Sequence, residues 1–244
     1  LFAHQDDEFG IFIQLKKDIE KNEPLIFYLT SGFDKKINKN KFCLRDKESL
    51  KTLKSLGVKK KNIFFIGRKL EVSNNKLYLN TKRVTNFLEN FILKKFKPSA
   101  IYTHSWEGGH EDHDTCNLIA RRLRKKFKIK NCFQFSQYNS FNTSFIFFKV
   151  FNPIKKNNGK KVFTNLFNRI KFIQLLFNYK SQMRIWFGLY PFIINHYLFK
   201  GFNFIENLET SNKIVKPHSG KLLYEKRNFC KFLTLKKKII FLLR

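Results

Sequence analysis

The chain has 244 residues and a mass of 29.4 kDa, and 49 Lys and Arg against 18 Asp and Glu give it a formal net charge of +31. With 43% hydrophobic residues it can fill a core, which excludes disorder as its main state, and its length allows one large or two small domains. The charge favours a nucleic acid or an anionic membrane as partner, but Lys, Asn, Ile and Phe are inflated together and share A/T-rich codons, so compositional drift is a second explanation.

Leu1-Phe2-Ala3 reads as the end of a strand. The chain starts without Met and enters a motif almost at once, so preceding residues are expected to be missing. A helix follows from Glu8 to Lys21, then a strand from Pro24 to Thr30 and a loop through Ser31-Gly32. Leu44, Leu50, Leu53 and Leu56 set a helical period over Asn40 to Leu56, and Gly57 is placed to stop it. Next come a strand at Asn62 to Ile66, a polar turn around Ser73 to Lys76, and a helix from Thr81 to Phe96 that Pro98 ends. Ser99 to Thr103 is a strand, Asp114 to Lys126 a helix with Asp114 as its N-cap, and Cys132 to Tyr138 another strand. Strict alternation implies βαβ units and a mostly parallel sheet covered by helices.

Beyond Phe151 the rhythm breaks. Asn152 to Lys161 reads as a polar basic loop, Val162 to Leu208 as a Phe-rich helical stretch, and the end as a basic-apolar tail. The expectation is an α/β core over 1–150 and an extension over 151–244 that packs on it in one structural unit. Cys43, Cys116, Cys132 and Cys230 form no C-x-x-C pair and read as reduced thiols. The most apolar stretch, Ile185 to Phe199, contains Pro191, Asn195 and His196 and falls short of the roughly 20 residues needed to span a bilayer. It reads as buried, with a membrane-surface contact as the alternative.

Because acids are scarce, their positions carry information. Asp6, Asp7 and Glu8 in residues 1–10, and Glu107, Glu111, Asp112 and Asp114 in residues 105–114, make seven of the 18. His4, His104, His110 and His113 lie in or beside the same windows, four of the six histidines. Both windows follow predicted strands, at the edge of an open sheet where ligands bind. Histidine with carboxylate from two loops is the ligand set of a catalytic zinc, which takes three protein ligands and keeps a position for water. His4 and Asp7 are three residues apart, and so are His110 and His113. A polar loop that merely caps a helix remains the alternative for either pair alone.

Ala3-His4-Gln5-Asp6-Asp7-Glu8 resembles the A-H-P-D-D-E signature of the PIG-L/LmbE-type zinc de-N-acetylases, which include the deacetylase of N-acetylglucosaminyl-phosphatidylinositol. The run from His104 to Asp114, with Gly108-Gly109 before His110-Glu111-Asp112-His113, is similar to that family's second motif, H-P-D-H. Arg45 and Glu48 with Leu56-Gly57-Val58 match its R-x-x-E and L-G-V helix, Thr30-Ser31-Gly32 its T-x-G strand end, and Tyr179-Lys180-Ser181-Gln182 its Y-x-S-Q segment. The likeness covers about 1–140 well. It implies a Rossmann-like three-layer α/β sandwich with a C-terminal helical or irregular extension, and Zn2+ held by His4, Asp7 and His113. It further implies Asp6 as general base, His110 as a protonated oxyanion stabiliser oriented by Asp112, and Arg45 as the sugar contact. Glu8 then stands behind the metal ligands or serves as a helix N-terminal charge.

Gln5 and Glu111 replace the proline of each motif, which loosens turns that proline would preset. Some relatives carry a Tyr where Gly108 stands, so a tyrosine contribution would come from Tyr102 or Tyr138. His196 reads as a core residue and His218 as a loop residue able to line the site, while Arg121 to Lys130, seven basic residues in ten, reads as a solvated face. The expected function is removal of the N-acetyl group from an N-acetylated amino sugar in a glycolipid or saccharide conjugate, in the cytoplasm, with peripheral contact to an anionic membrane at its inner face and no nucleic-acid partner. The alternatives are a non-catalytic basic module that binds anionic membrane or nucleic acid, and a zinc hydrolase of the same fold acting on another amide.

Overall fold

The computed structural model describes residues 1–33, 39–144, 147–155 and 159–243. Strands β1 (Ile26–Tyr28) and β2 (Ile63–Phe65) pair in parallel, with Phe27 stacked on Phe64 and Tyr28 on Phe65 across the register. Such in-register aromatic pairs specify which strands meet. Strands β3 (Ala100–His104) and β4 (Asn131–Phe135) also pair in parallel. The first three residues lie between the two pairs: Phe2 N–H donates to Phe27 O and Leu29 N–H to Phe2 O, both at 2.9 Å, and the Leu1 ammonium donates to Tyr102 O at 2.7 Å. Leu1-Phe2-Ala3 therefore carries strand pairing, as read.

The remaining pairings correct the sequence reading. A short hairpin joins β5 (Tyr138–Asn139) to β6 (Lys149–Val150), and β7 (Gly159–Phe163) and β8 (Phe202–Asn207) add to β4 in the order β3-β4-β8-β7. All three of these connections, β5–β6, β4–β8 and β7–β8, are antiparallel, against two parallel ladders among the described residues. The architecture is mixed α/β, about half helical, with sheets of few strands. The mostly parallel sheet is not what the C-terminal strands build. Strand β7 takes Gly159 to Lys161 from the expected loop and Val162-Phe163 from the expected helical stretch, because an exposed edge strand carries lysines instead of an apolar run. In β8 the Phe-rich sequence masked a strand whose burial alternates.

The helices fall close to expectation at Phe12–Lys21, Lys39–Leu56 and Thr81–Lys95. The helix after β3 begins earlier, running from Glu111 to Phe127 with His110 as N-cap, so Asp114 sits inside its first turn and is not the cap. Helices Leu166–Leu176, Met183–Trp186 and Tyr190–Asn195 precede β8, and Phe232–Ile239 follows it. No described helix is long and apolar enough to cross a membrane.

Two apolar clusters form the core, and both take side chains from beyond residue 151: Leu235 and Ile239 join Leu29 and Leu118, and Phe172 and Tyr197 join Phe12 and Tyr28. Polar ties fix the same junction. The Asn203 carboxamide accepts from Ile13 N–H and Gln14 N–H at 2.9 and 3.2 Å and donates to Gly10 O at 3.0 Å, so β8 caps the helix Phe12–Lys21 from a distance. The basic run is also bound to the body. Arg121 reaches Glu209, Arg122 and Lys126 reach Glu89, and Arg124 and Lys125 donate to the carbonyls of Leu208 and Leu243, so the expectation of a merely solvated face is corrected. Cys116, Cys132 and Cys230 are free and buried, while Cys43 lies outside the described side chains. His196 is buried with Nε2 against Phe202 O at 2.6 Å, a core histidine.

Candidate metal centre and active site

The turn after residue 3 and the start of the helix Glu111–Phe127 converge between the two parallel strand pairs. His113 Nε2 lies 3.1 Å from Asp7 Oδ1 and 3.3 Å from His4 Nδ1, and His4 Nδ1 lies 3.5 Å from Asp7 Oδ2. A tetrahedral ion bonded at about 2.0–2.1 Å has ligand–ligand edges of roughly 3.3–3.4 Å, and these contacts, made through both Asp7 oxygens, are of the length that ligands of one metal ion keep. All three are buried. His113 Nδ1 is buried with no hydrogen-bond partner.

The local charge favours a cation. Although burial pulls it down, Asp7 and Asp112 hold the His4 imidazole up to about 10. Against its burial, His113, His104 and His4 keep the Asp7 carboxyl well below the usual carboxylate range. A pocket that retains a proton this firmly is one in which a metal ion can replace it.

Asp112 does not do what was expected of it. Its carboxylate accepts from His4 Nε2 at 3.1 Å, from Asn75 N–H at 2.7 Å and from Leu77 N–H at 3.0 Å. It orients His4, in the carboxylate–histidine–metal relation that fixes a ligand's tautomer. His110 instead receives the Asp112 backbone N–H on Nδ1 at 3.1 Å. Burial and the neighbouring His4 and His113 push the His110 imidazole well below its usual pKa, which disfavours the expected imidazolium.

Asp6 stands beside the cluster at φ 150°, a strained conformation for a non-glycine residue, held by its N–H to Glu8 Oε2 at 3.1 Å. Its Oδ1 pairs with Arg45 at 2.9 Å. Arg45 is buried and also donates to Gly32 O at 2.6 Å and Gln5 O at 3.0 Å, so it is spent on the two loops and on Asp6. Burial raises Asp6 to about 7 although Arg45 pulls it down.

The replaced prolines have become polar anchors. Gln5 donates to Asp46 at 3.1 Å, and Arg68 pairs with the other Asp46 oxygen. Glu111 accepts from the Asn75 side chain at 2.7 Å. Asn75, left-handed at φ 60°, therefore grips two acids of the second motif at once. The sequence reading saw only a polar turn there, and the sole available signal was an Asn suited to that conformation. Asp112→Ala is expected to weaken metal binding by roughly 10–100-fold, measured by competition with a chelator, since it removes the carboxylate that orients His4.

Glu8 accepts from Tyr179 Oη–H at 2.7 Å, and Glu48 accepts from Ser181 N–H at 2.9 Å and Oγ–H at 2.6 Å, so the Tyr179–Gln182 segment locks both upstream motifs. Glu107 takes four donors, from Ser136, Gln137 N–H (2.7 Å), Tyr138 N–H (3.1 Å) and Asn139 (2.9 Å), tying the loop after β4 to the site. Glu107→Ala is expected to destabilise the fold by at least about 3 kcal/mol, read from the urea midpoint, because it strands several buried donors. Of the two tyrosines considered, Tyr138 lies with its ring 5.3 Å from His113, whereas Tyr102 stacks on Phe133 and is raised to about 12 by burial and by Asp18 beside it. His104 stacks on His113 at 3.9 Å with Nε2 at 3.1 Å from Asp7. His218 turns Nδ1 to Ser219 O and joins neither candidate metal-ligand group among the described residues.

An α/β chain with two histidines and an aspartate converging at strand ends has the framework of a metal-dependent hydrolase. The chain belongs to the PIG-L family: the family model described as GlcNAc-PI de-N-acetylase matches residues 1–123. Among solved structures, it is similar to the zinc-inhibited form of teicoplanin deacetylase, with a TM-score of 0.63 and 13% identity over 83% of this chain and 94% of that one. It is also similar to N,N'-diacetylchitobiose deacetylase from Pyrococcus horikoshii, complexed with its inhibitor MPG, with a TM-score of 0.52 and 19% identity over 84% of this chain and 79% of that one. No curated protein matches the chain.

Proposed function

We propose that the chain is a zinc-dependent hydrolase that removes the N-acetyl group from an N-acetylated amino sugar in a glycolipid or saccharide conjugate. The observation that carries this reading is the convergence of His4, Asp7 and His113 at metal-ligand spacing, beside the Asp6 carboxylate that Arg45 holds. Zinc bound by these three side chains would supply a Lewis acid and make water acidic enough to ionise near neutral pH. Asp6 Oδ1 is held by Arg45, which leaves Oδ2 to take the proton of the attacking water. His110 Nδ1 is occupied by the Asp112 N–H, which leaves the Nε2 proton to donate to the acyl oxygen as negative charge develops. Arg45 acts in this reading as the holder of Asp6, and Asp112 as the holder of His4.

Membership of the PIG-L family supports the substrate class. Residues 1–150 and 151–244 form one catalytic unit in this proposal, supported by the bond from Tyr179 to Glu8. A reducing cytoplasmic setting agrees with the three free, buried cysteines. The test is metal analysis of the purified chain combined with amine release from a panel of N-acetylhexosamines and N-acetylglucosaminyl-phosphatidylinositol. About one zinc per chain and a free amine from a panel member are expected. Absence of bound metal, or amine release only from amides that are not sugars, would overturn the proposal.

A further inference from the structure

The surface built from residues 163–200 is unlike the rest of the molecule. Phe167, Ile185, Phe187 and Phe199 are 76–83% exposed, and Phe192 and Leu198 are also exposed. Large apolar side chains gathered in this way mark an interaction surface on a soluble fold. Elements carrying them are packed together: Arg169 of the helix Leu166–Leu176 donates to Leu198 O at 3.2 Å, and Phe177 stacks on Tyr190 at 5.8 Å. Residues 163–200 contain five Lys and Arg and no Asp or Glu.

This apolar face reaches the metal centre through a row of rings. His113 lies against Tyr138 at 5.3 Å, Tyr138 against Phe148 at 6.3 Å, and Phe148 against Phe192 at 6.2 Å. The Arg227 guanidinium covers the Phe148 ring at 5.6 Å. The packing beneath this face therefore runs on to the candidate site.

We propose that the face built from residues 163–200 docks on an anionic lipid bilayer and presents the metal centre to a substrate held there. The docking stands on surface chemistry alone; only the nature of the substrate rests on the deacetylase reading. Exposed Phe, Ile and Leu among Lys and Arg are what interfacial binding requires, and each cation near an anionic leaflet adds to the attraction. The helices involved are short, and no described helix is long and apolar enough to cross a bilayer, so these elements lie on its surface. A second copy of the chain is a poor occupant, since pairing this face with itself sets two acid-free cationic surfaces against each other.

The full chain is sedimented with vesicles of phosphatidylcholine alone and of phosphatidylcholine mixed with phosphatidylglycerol. Binding to the mixed vesicles is expected, with at least roughly tenfold weaker binding to the neutral ones. The double variant Phe187→Ser/Phe199→Ser and the double variant Arg184→Glu/Lys200→Glu are each expected to bind the mixed vesicles roughly tenfold more weakly while unfolding at the same temperature. The proposal is overturned if the unaltered chain ignores anionic vesicles or if the Phe variant binds as tightly as it does. A dimer that dissociates on the Phe substitutions, seen by light scattering, would also overturn it by assigning the face to a second copy. Vesicle binding is scored without substrate, so failure of the deacetylase reading appears separately, as no amine release in any sample with docking intact.

Discussion

His113→Ala is expected to reduce bound zinc from about one per chain to near none and to lower kcat/KM by at least ~10³-fold. His113 closes two of the three ligand edges, to Asp7 at 3.1 Å and to His4 at 3.3 Å, so its removal leaves two side chains where three are needed. The loss should exceed that of Asp112→Ala, which removes only the carboxylate behind His4. Metal analysis after dialysis decides the matter, with thermal unfolding as control because the His113 ring stacks on His104 in the interior. Unchanged zinc in a folded variant would remove His113 from the ligand set.

Asp6→Asn is expected to lower kcat by ~10²–10⁴-fold while zinc stays bound, since it keeps the shape of the side chain and removes only its capacity to take a proton. In the proposed reaction Asp6 works as a base only when ionised. Burial raises it to about 7, and a bound dication pulls it back down, so kcat/KM of the unaltered enzyme should rise with pH through an apparent value at or below about 7 and fall on the acid side. The variant should lack that acid limb. If the limb persists at the same pH with activity merely scaled down, the base is another group, and Asp6 serves only to hold Arg45.

Much of the first half was legible because its signals are local. Helices at Phe12–Lys21, Lys39–Leu56 and Thr81–Lys95 follow from apolar spacing and their stops, and the concentration of acids and histidines in two windows pointed to His4, Asp7 and His113, which the fold brings together. What was not legible depends on partners far along the chain. That Asp112 serves His4 and not His110 follows from where the loop at Asn75 and Leu77 presents its amides, which no spacing within the second motif encodes. The commitment of Arg45 to Gln5, Gly32 and Asp6 arises from three segments meeting. Strands β7 and β8 were hidden by composition, one because it is a lysine-bearing edge and the other because Phe suits helix and strand patterns alike.

The distant cap supplied by Asn203 bears on the order in which a nascent chain matures. All the side chains of the candidate metal centre have been synthesised by residue 113, yet the amides of Ile13 and Gln14 find Asn203, and the carboxylate of Glu8 its Tyr179 donor, only from residue 179 onward. A ribosome-bound fragment ending at residue 123 would carry every ligand and the base while its first motif stayed loosely anchored. Competence should therefore arise late in translation, with the opening residues of the chain among the last to gain protection from amide exchange.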